Sequence, residues 1–176
     1  NFAKDRGKIQ PLMDSVNAPG NAEKDAVAYL TFLDAQKQVN KSKKIGTQGY
    51  CMGGPLVMKT CAAMPDRVGA GGSFHGGNLV TDKPDSPHLL ASKIKAKMYF
   101  GIATNDDMRQ PDAKDKLKEA FEAANNPAKI EVYSNDQHGW CVPDMPPQPN
   151  GMPIYNKADA DRAWAELTAL YKGALA

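Results

Sequence analysis

Cysteine is scarce in this sequence of 176 residues. The three cysteines, Cys51, Cys61 and Cys141, form no CxxC pair and are too few for the disulfide framework of a small secreted domain. Free thiols suit a reducing compartment, and we therefore expect a cytoplasmic protein. The three histidines lack the i, i+4 spacing and the nearby cysteines of a metal site. We predict no metal site and no other cofactor.

Long apolar runs and a strong excess of one charge are also absent. No apolar run approaches the roughly 20 residues that a membrane-spanning helix needs. The formal net charge is only +2, and no basic block indicates a nucleic-acid partner. We therefore predict neither a membrane nor a nucleic-acid partner, and the sequence leaves the oligomeric state open.

What the sequence does contain is an alternation of strand-like and helix-like segments. The predicted strands are KKIGTQGY at 43–50, Val68–Phe74, Lys97–Thr104 and Lys129–Ser134. Predicted helices separate or flank these strands, and a long proline-rich loop runs from His138 to Tyr155. Such an alternation predicts an α/β fold, with a mostly parallel sheet covered by helices on both faces.

The predicted helices are defined by caps and by apolar faces. We expect one with Asn21 as its N-cap, one to follow Gly54 and end at Pro65, one to begin at Pro111, and one to close the chain. The helix at Asn21 is expected to face the core with Ala26, Tyr29, Leu30 and Leu33. The helix at Pro111 is expected to do so with Ala113, Leu117, Ala120, Phe121 and Ala124. The last helix is expected to do so with Ala160, Ala163, Trp164, Leu167 and Tyr171.

The segment GYCMG, residues 49–53, places Cys51 between two glycines directly after the first strand. It matches the G-x-S-x-G nucleophile elbow with sulfur in place of oxygen, and glycines beside such a turn leave room for close backbone contacts. The N-terminus of the next helix would favour a thiolate, and the N–H of Met52 would be the first oxyanion donor. A cysteine after a strand can also be a small buried core residue.

Two further reactive candidates follow later strands. Asp106 and Asp107 come after the third strand, and His138 follows the fourth. Parallel sheets place their sites at the carboxyl ends of the strands, and the chain order nucleophile, acid, histidine is that of a hydrolase triad. Cys61 and Cys141 are expected to be packing or incidental thiols. Four further side chains flank the strand ends and either line a pocket or belong to the core: Tyr50, Phe74, His75 and Trp140.

These residues resemble the dienelactone hydrolase family of the α/β-hydrolase superfamily. The similarity lies in GYCMGG at 49–54, YFGIATND at 99–106, QHGWCVPDMP at 137–146 and DSPHLLASKIKAK before the third strand. It extends over nearly the whole chain. The resemblance implies a hydrolase that opens lactones and related esters through a Cys-Asp-His triad. Cys51 would be the nucleophile, His138 the general base and Asp106 its orienting acid.

The predicted strand number departs from the family pattern. About four strands are expected here, against about eight in a complete hydrolase sheet. Family members supply a second oxyanion donor and substrate-binding residues from upstream strands, and nothing before Cys51 matches them. We therefore expect residues 1–176 to form one α/β-hydrolase domain that lacks N-terminal strands of a longer enzyme.

Three other functions remain open at this point. A thioesterase or general carboxylesterase would use the same triad on different substrates. A catalytically silent interaction protein could have kept the fold, and a redox-sensing protein would need a resolving cysteine near Cys51.

Overall fold

A parallel sheet of four strands forms the centre of the computed structural model, which describes residues 5–176. The strands are β1 (Ile45–Tyr50), β2 (Val68–Phe74), β3 (Lys97–Ala103) and β4 (Lys129–Tyr133), and they lie side by side in the order β1-β2-β3-β4. Every neighbouring pair is parallel, with Tyr50 opposite Phe74 and Phe74 opposite Gly101. The predicted α/β class and the four predicted strands are confirmed. The expected upstream strands stay a prediction.

Helices connect and flank these strands. They are α1 (Arg6–Asn17), α2 (Asn21–Asp34), α3 (Gly53–Ala63), α4 (Thr104–Arg109), α5 (Ala113–Ala123) and α6 (Lys157–Leu175), with a 3₁₀ helix at Pro87–Lys93. The four helices expected from the sequence correspond to α2, α3, α5 and α6. The sequence did not predict α1 because this helix buries no side chain and contains Pro11, so it has no clear apolar face.

The core lies on both faces of the sheet. One cluster packs α2, α3, α5 and the 3₁₀ helix against the sheet, with Met58, Phe100 and Phe121 fully buried. The other packs α6 and the loop after β4 against the opposite face, with Tyr133 and Leu167 at its centre. Helices on both faces are the arrangement that a buried parallel sheet requires.

Three local predictions are wrong. Tyr29 and Trp164 are 72% and 62% exposed, because α2 buries Ala22, Ala26 and Leu30 while α6 buries Ala163 and Leu167. The aromatic side chains therefore lie at the edges of these buried rows. Asn21 does not cap α2: Gly20 occupies the cap position at φ 77°, and the Asn21 side chain instead donates a hydrogen bond to the carbonyl of Ser15.

Candidate active site

The turn between β1 and α3 presents Cys51 to the surface. Cys51 has φ 53°, a left-handed conformation that is strained for a residue with a side chain. Cys51 is exposed, whereas Cys61 is buried and Cys141 is half-buried. A strained strand-to-helix turn with an exposed reactive side chain is the geometry of a nucleophile elbow.

Two glycines, Gly49 and Gly54, make this turn possible. The sequence had predicted a steric role for Gly53 instead of Gly54. A Cβ atom at Gly49 would lie 2.3 Å from the carbonyl oxygen of Gly53, so only glycine fits there. At Gly53 a Cβ would meet nothing within 4 Å. The close approach occurs instead at Gly54, where a Cβ would lie 2.6 Å from Oγ of Ser73 and 2.7 Å from Cα of Gly76. The steric role predicted for Gly53 therefore belongs to Gly54.

The loop after β4 brings His138 to the carboxylate of Asp106. Nδ1 of His138 lies 2.6 Å from Oδ2 of Asp106, whose other oxygen accepts a hydrogen bond from Arg109 at 2.9 Å. The adjacent Asp107 instead forms an ion pair with Lys114 at 2.7 Å. Both aspartates belong to the short helix α4 rather than to an extended strand end. Neighbouring helical residues point about 100° apart, which separates the two carboxylates.

The start of α4 also holds the backbone of the histidine loop. Thr104 donates from its N–H to the carbonyl of Asp136 and from its hydroxyl to the carbonyl of Tyr133, each at 2.9 Å. The side-chain oxygen of Asn105 accepts a hydrogen bond from the N–H of His138 at 2.8 Å. Sequence reasoning missed Thr104 and Asn105. Their position directly before Asp106 was the available signal.

The charge state of His138 follows from its partners. The hydrogen bond to Asp106 and a weaker contribution from the hydrogen bond to Cys51 raise the pKa of His138 to about 9, against the opposing effect of burial. The imidazole is therefore protonated at neutral pH. The charged ring thus lies between the carboxylate of Asp106 and the side chain of Cys51.

His75, in contrast to His138, is uncharged at neutral pH. It directly follows β2 and is 1% exposed, and Nδ1 accepts a hydrogen bond from the N–H of Cys51 at 3.2 Å. Burial, together with the positive charge of His138, lowers the pKa of His75 to about 4. His75 is therefore neutral at the pH at which His138 is charged.

The four expected pocket residues do not form one surface. Phe74, His75 and Trp140 are at most 1% exposed, and Phe74 and Trp140 pack in the core cluster against α6. Of the two alternatives that the sequence left open, burial favours the core for His75 and Trp140, whereas buried Phe74 also borders a small cavity. Tyr50 is half-buried, stacks on Phe74 at 5.3 Å between ring centroids, and faces a small cavity beside α6.

The cavity next to Cys51 has a different lining. It has a volume of about 510 Å³, and Cys51 and Met52 form one wall. The other lining residues come from α1, α3, the segment after β2 and the first residue of the 3₁₀ helix: Met13, Asn17, Pro55, Lys59, Gly77, Asn78, Thr81, Lys83, Asp85 and Pro87. The size is in the range of small-molecule sites.

The other thiols are poorly suited to react with Cys51. Burial raises the pKa of Cys61 to about 12. Burial and the negative charges of Asp136 and Asp159 raise the pKa of Cys141 to about 12. Neither thiol supplies the thiolate that a resolving cysteine needs, so the redox-sensor alternative has no structural support.

Residues 5–176 contain neither a metal-binding cluster nor a membrane-spanning helix. In this range no three histidine, cysteine, aspartate or glutamate side chains are grouped so that they could hold a metal ion. No helix in the same range has both the length and the apolar character needed to cross a membrane.

Nearly the whole chain matches the model of one protein family. The model of the dienelactone hydrolase family matches residues 2–175. The chain belongs to the dienelactone hydrolase family. The family is one of hydrolases within the α/β-hydrolase superfamily, and the resemblance noted from the sequence is confirmed.

Individual relatives are more distant. The chain is 25% identical to "Protein usf" of Aquifex pyrophilus over 173 residues, which cover 96% of this chain and 67% of the relative. It is 26% identical to "Hydrolase tropI" of Talaromyces stipitatus over 110 residues, or 62% of this chain and 40% of that one. The solved structure "m3DLH" matches with a TM-score of 0.77 at 21% identity, covering 98% of this chain and 69% of its own. This dienelactone hydrolase family member thus spans about two thirds of the length of Protein usf and of m3DLH.

Proposed function

We propose that this protein hydrolyses a lactone or another carboxylic ester through Cys51 and a covalent thioester intermediate. The observation that carries the proposal is the 2.6 Å hydrogen bond between His138 and Asp106, with Cys51 close enough to contribute to the raised pKa of His138, at the carboxyl ends of β3, β4 and β1. Membership of a hydrolase family supports the reaction class.

In the acylation step, the thiolate sulfur of Cys51 attacks the ester carbonyl carbon and a C–S bond forms. The carbonyl electrons move to oxygen, and the oxyanion would be stabilised by backbone N–H groups. Met52 is the first candidate donor because it precedes α3, whose N-terminus carries positive partial charge. Collapse of this intermediate breaks the C–O bond, and the His138 imidazolium gives its proton to the departing alkoxide.

In the deacylation step, the neutral His138 takes a proton from a water molecule. The resulting hydroxide adds to the thioester carbonyl, the C–S bond breaks, and the carboxylic acid leaves. The proton then remains on His138 beside the regenerated Cys51 thiolate. Asp106 orients the ring and stabilises its positive charge throughout.

The substrate class follows from the leaving group and from the cavity. A thiolate expels an alkoxide or enolate far more readily than an amide nitrogen, which favours esters and lactones over peptides. The cavity of about 510 Å³ beside Cys51 can hold a small ester.

The test is hydrolysis of an activated aryl ester and of a small lactone by the purified protein. We expect Cys51→Ala to abolish turnover, and we expect Cys141→Ala, a matched control at a half-buried thiol, to retain it. Thermal unfolding verifies that both variants are folded. Undiminished hydrolysis by folded Cys51→Ala would contradict the proposal, and faster turnover of acyl thioesters than of either oxygen ester would redirect it to a thioesterase.

A further inference from the structure

His75 lies where the ends of three strands meet. Its own N–H donates a hydrogen bond to the carbonyl of Gly101 in β3 at 2.8 Å, which continues the sheet beyond β2. Its φ of 39° then turns the chain away. The side chain is left beneath the elbow that carries Cys51, with 1% of the residue exposed.

The imidazole of His75 contacts both halves of the proposed catalytic pair. Nδ1 accepts the Cys51 N–H at 3.2 Å, an N–H that is shared with the carbonyl of Phe74 at the same distance. The ring centroid lies 4.8 Å from that of His138 and 5.2 Å from that of Trp140, in edge-on arrangements. One buried ring therefore touches the backbone of the nucleophile and the side chain of the triad histidine.

The hydrogen bond defines the protonation of the ring. A neutral imidazole that accepts at Nδ1 carries its proton on Nε2. Nε2 of His75 is buried and has no hydrogen-bond partner among residues 5–176. An apolar ring of similar size would fill this space without burying an unpaired donor, so packing alone does not account for a histidine here.

The surroundings keep this ring uncharged. Burial and the charge of His138 lower the pKa of His75 to about 4, against a smaller opposing effect of Asp106. The other polar rings and groups that face it include Tyr50 and Trp140, at 5.9 Å and 5.2 Å between ring centroids, and Cys51 itself. A protonated His75 would carry hydrogen on Nδ1 and could no longer accept from Cys51.

We propose that His75 is a positioning residue that fixes the strained backbone of Cys51 through its Nδ1 acceptor and so aims the sulfur at His138. The role rests on the proposed nucleophilic function of Cys51. An uncharged acceptor is suited to the position because it holds the Cys51 N–H without placing a second positive charge against the His138 imidazolium.

Two substitutions separate this role from simple packing. His75→Phe keeps an aromatic ring of similar size but removes the acceptor. His75→Asn loses the ring but can place an amide oxygen near the position of Nδ1. If the acceptor matters, the Asn variant is close to wild type and the Phe variant is impaired; if only packing matters, the order is reversed.

The measurements are the rate of Cys51 alkylation by iodoacetamide as a function of pH, and kcat and KM for an activated aryl ester. We expect His75→Phe to lower the alkylation rate at pH 7 about tenfold, because a displaced sulfur is less well activated by His138 and small displacements of a catalytic group can cost up to about 10²-fold. We expect kcat to fall with it while KM changes little, and both values to be restored in His75→Asn. His75→Gln, which cannot place an acceptor at the Nδ1 position, should resemble His75→Phe and replaces it if that variant does not fold.

Alkylation needs no ester substrate, so the outcomes are distinguishable from failure of the proposed function. A wild-type pH profile of alkylation in folded His75→Phe or His75→Gln, or equal impairment of His75→Asn, would overturn the positioning role. If the wild-type protein hydrolyses no ester but the alkylation profile shifts as described, the positioning role stands and the proposed reaction fails.

Discussion

Nδ1 of His138 lies 2.6 Å from Oδ2 of Asp106, and this contact distinguishes Asp106 from the aspartate that follows it. Asp107 is engaged with Lys114, which also donates to the carbonyl of Pro111. We expect Asp106→Asn to lower kcat by several powers of ten, since holding a triad histidine in the wrong tautomer costs about 10⁴-fold. Steady-state kinetics on an aryl ester measures the effect.

Asp107→Asn is the matched control for this prediction. It changes the neighbouring carboxylate in the same helix and removes only the ion pair with Lys114, so kcat should be close to wild type. If Asp107→Asn were inactive and Asp106→Asn nearly normal, the orienting acid would be Asp107 and the assignment of Asp106 would be wrong. Full activity in both would contradict the triad.

His138 should titrate at a higher pH than the other two histidines. The carboxylate of Asp106 raises the pKa of His138 to about 9, and burial lowers the pKa of His75 to about 4. Burial also lowers the pKa of His88. An NMR titration of the imidazole resonances, with single-histidine variants for assignment, checks this order. Titration of His138 near its ordinary value of 6.5 would show that the contact with Asp106 is not maintained in solution.

The raised pKa of His138 also has a consequence for stability. Because the folded value of about 9 exceeds the ordinary value of 6.5, the interaction stabilises the fold fully below pH 6.5 and is lost as the pH rises through 9. The difference in free energy of unfolding between wild type and His138→Gln should therefore decrease between these two pH values. Denaturant unfolding at pH 6 and pH 9.5 measures the change, and a difference that grows with pH would contradict it.

Asn105 should matter for turnover although its side chain is not part of the proposed triad. Its side-chain oxygen accepts the His138 N–H at 2.8 Å, so Asn105→Ala frees the loop that carries the ring. Since small displacements of a catalytic group can cost about 10²-fold in rate, we expect kcat to fall by about that amount or less. Stability should fall by about 1 kcal/mol, as for other lost hydrogen bonds.

Asn126→Ala provides the comparison for Asn105. The Asn126 amide donates to the carbonyls of Ile94 and Ala96, contacts of the same kind that lie away from the triad residues. We expect this variant to lose stability and to keep its kcat. Equal kcat values in the two variants would assign Asn105 a purely structural role.

The elbow glycines give a prediction about stability alone. Gly54→Ala would place a Cβ 2.6 Å from Oγ of Ser73 and 2.7 Å from Cα of Gly76, so the turn must shift and stability should fall by roughly 1–3 kcal/mol. Gly53→Ala meets nothing within 4 Å at the start of α3 and should be neutral, or stabilising by less than about 1 kcal/mol. Chemical denaturation of both variants tests the contrast. Equal losses would contradict the geometry of the turn.

The sequence predicted the features that depend on local pattern and on chain order. The strands β2 and β3 are mostly buried and β1 and β4 are mostly half-buried, and the residues proposed as the triad follow β1, β3 and β4. The topology of a parallel sheet then brings those residues to one edge. Pattern alone could propose candidates because each follows a strand end, and the resemblance to the family then favoured Asp106 over Asp107.

The features that the sequence did not predict depend on tertiary packing, that is, on contacts between side chains that lie far apart in the sequence. His75 reads as one polar residue in a turn, and only the packing of β1, β2 and the loop after β4 shows that it is buried beneath Cys51. Phe74 and Trp140 flank strand ends in sequence but are covered by α6. The role of Asn105 depends on a contact with a residue 33 positions away, which no local pattern encodes.

The central claim, that Cys51 carries the acyl group during turnover, is tested most directly by trapping the intermediate. The protein is mixed with an activated ester whose acyl group leaves slowly, quenched in acid within one turnover, digested and examined by mass spectrometry. We expect the acyl mass on the peptide that contains Cys51 and no acyl mass on the peptides that contain Cys61 and Cys141. Neutral hydroxylamine should release the acyl group, as expected of a thioester. Ester hydrolysis without any acylated Cys51, or with the acyl group on another residue, would contradict it.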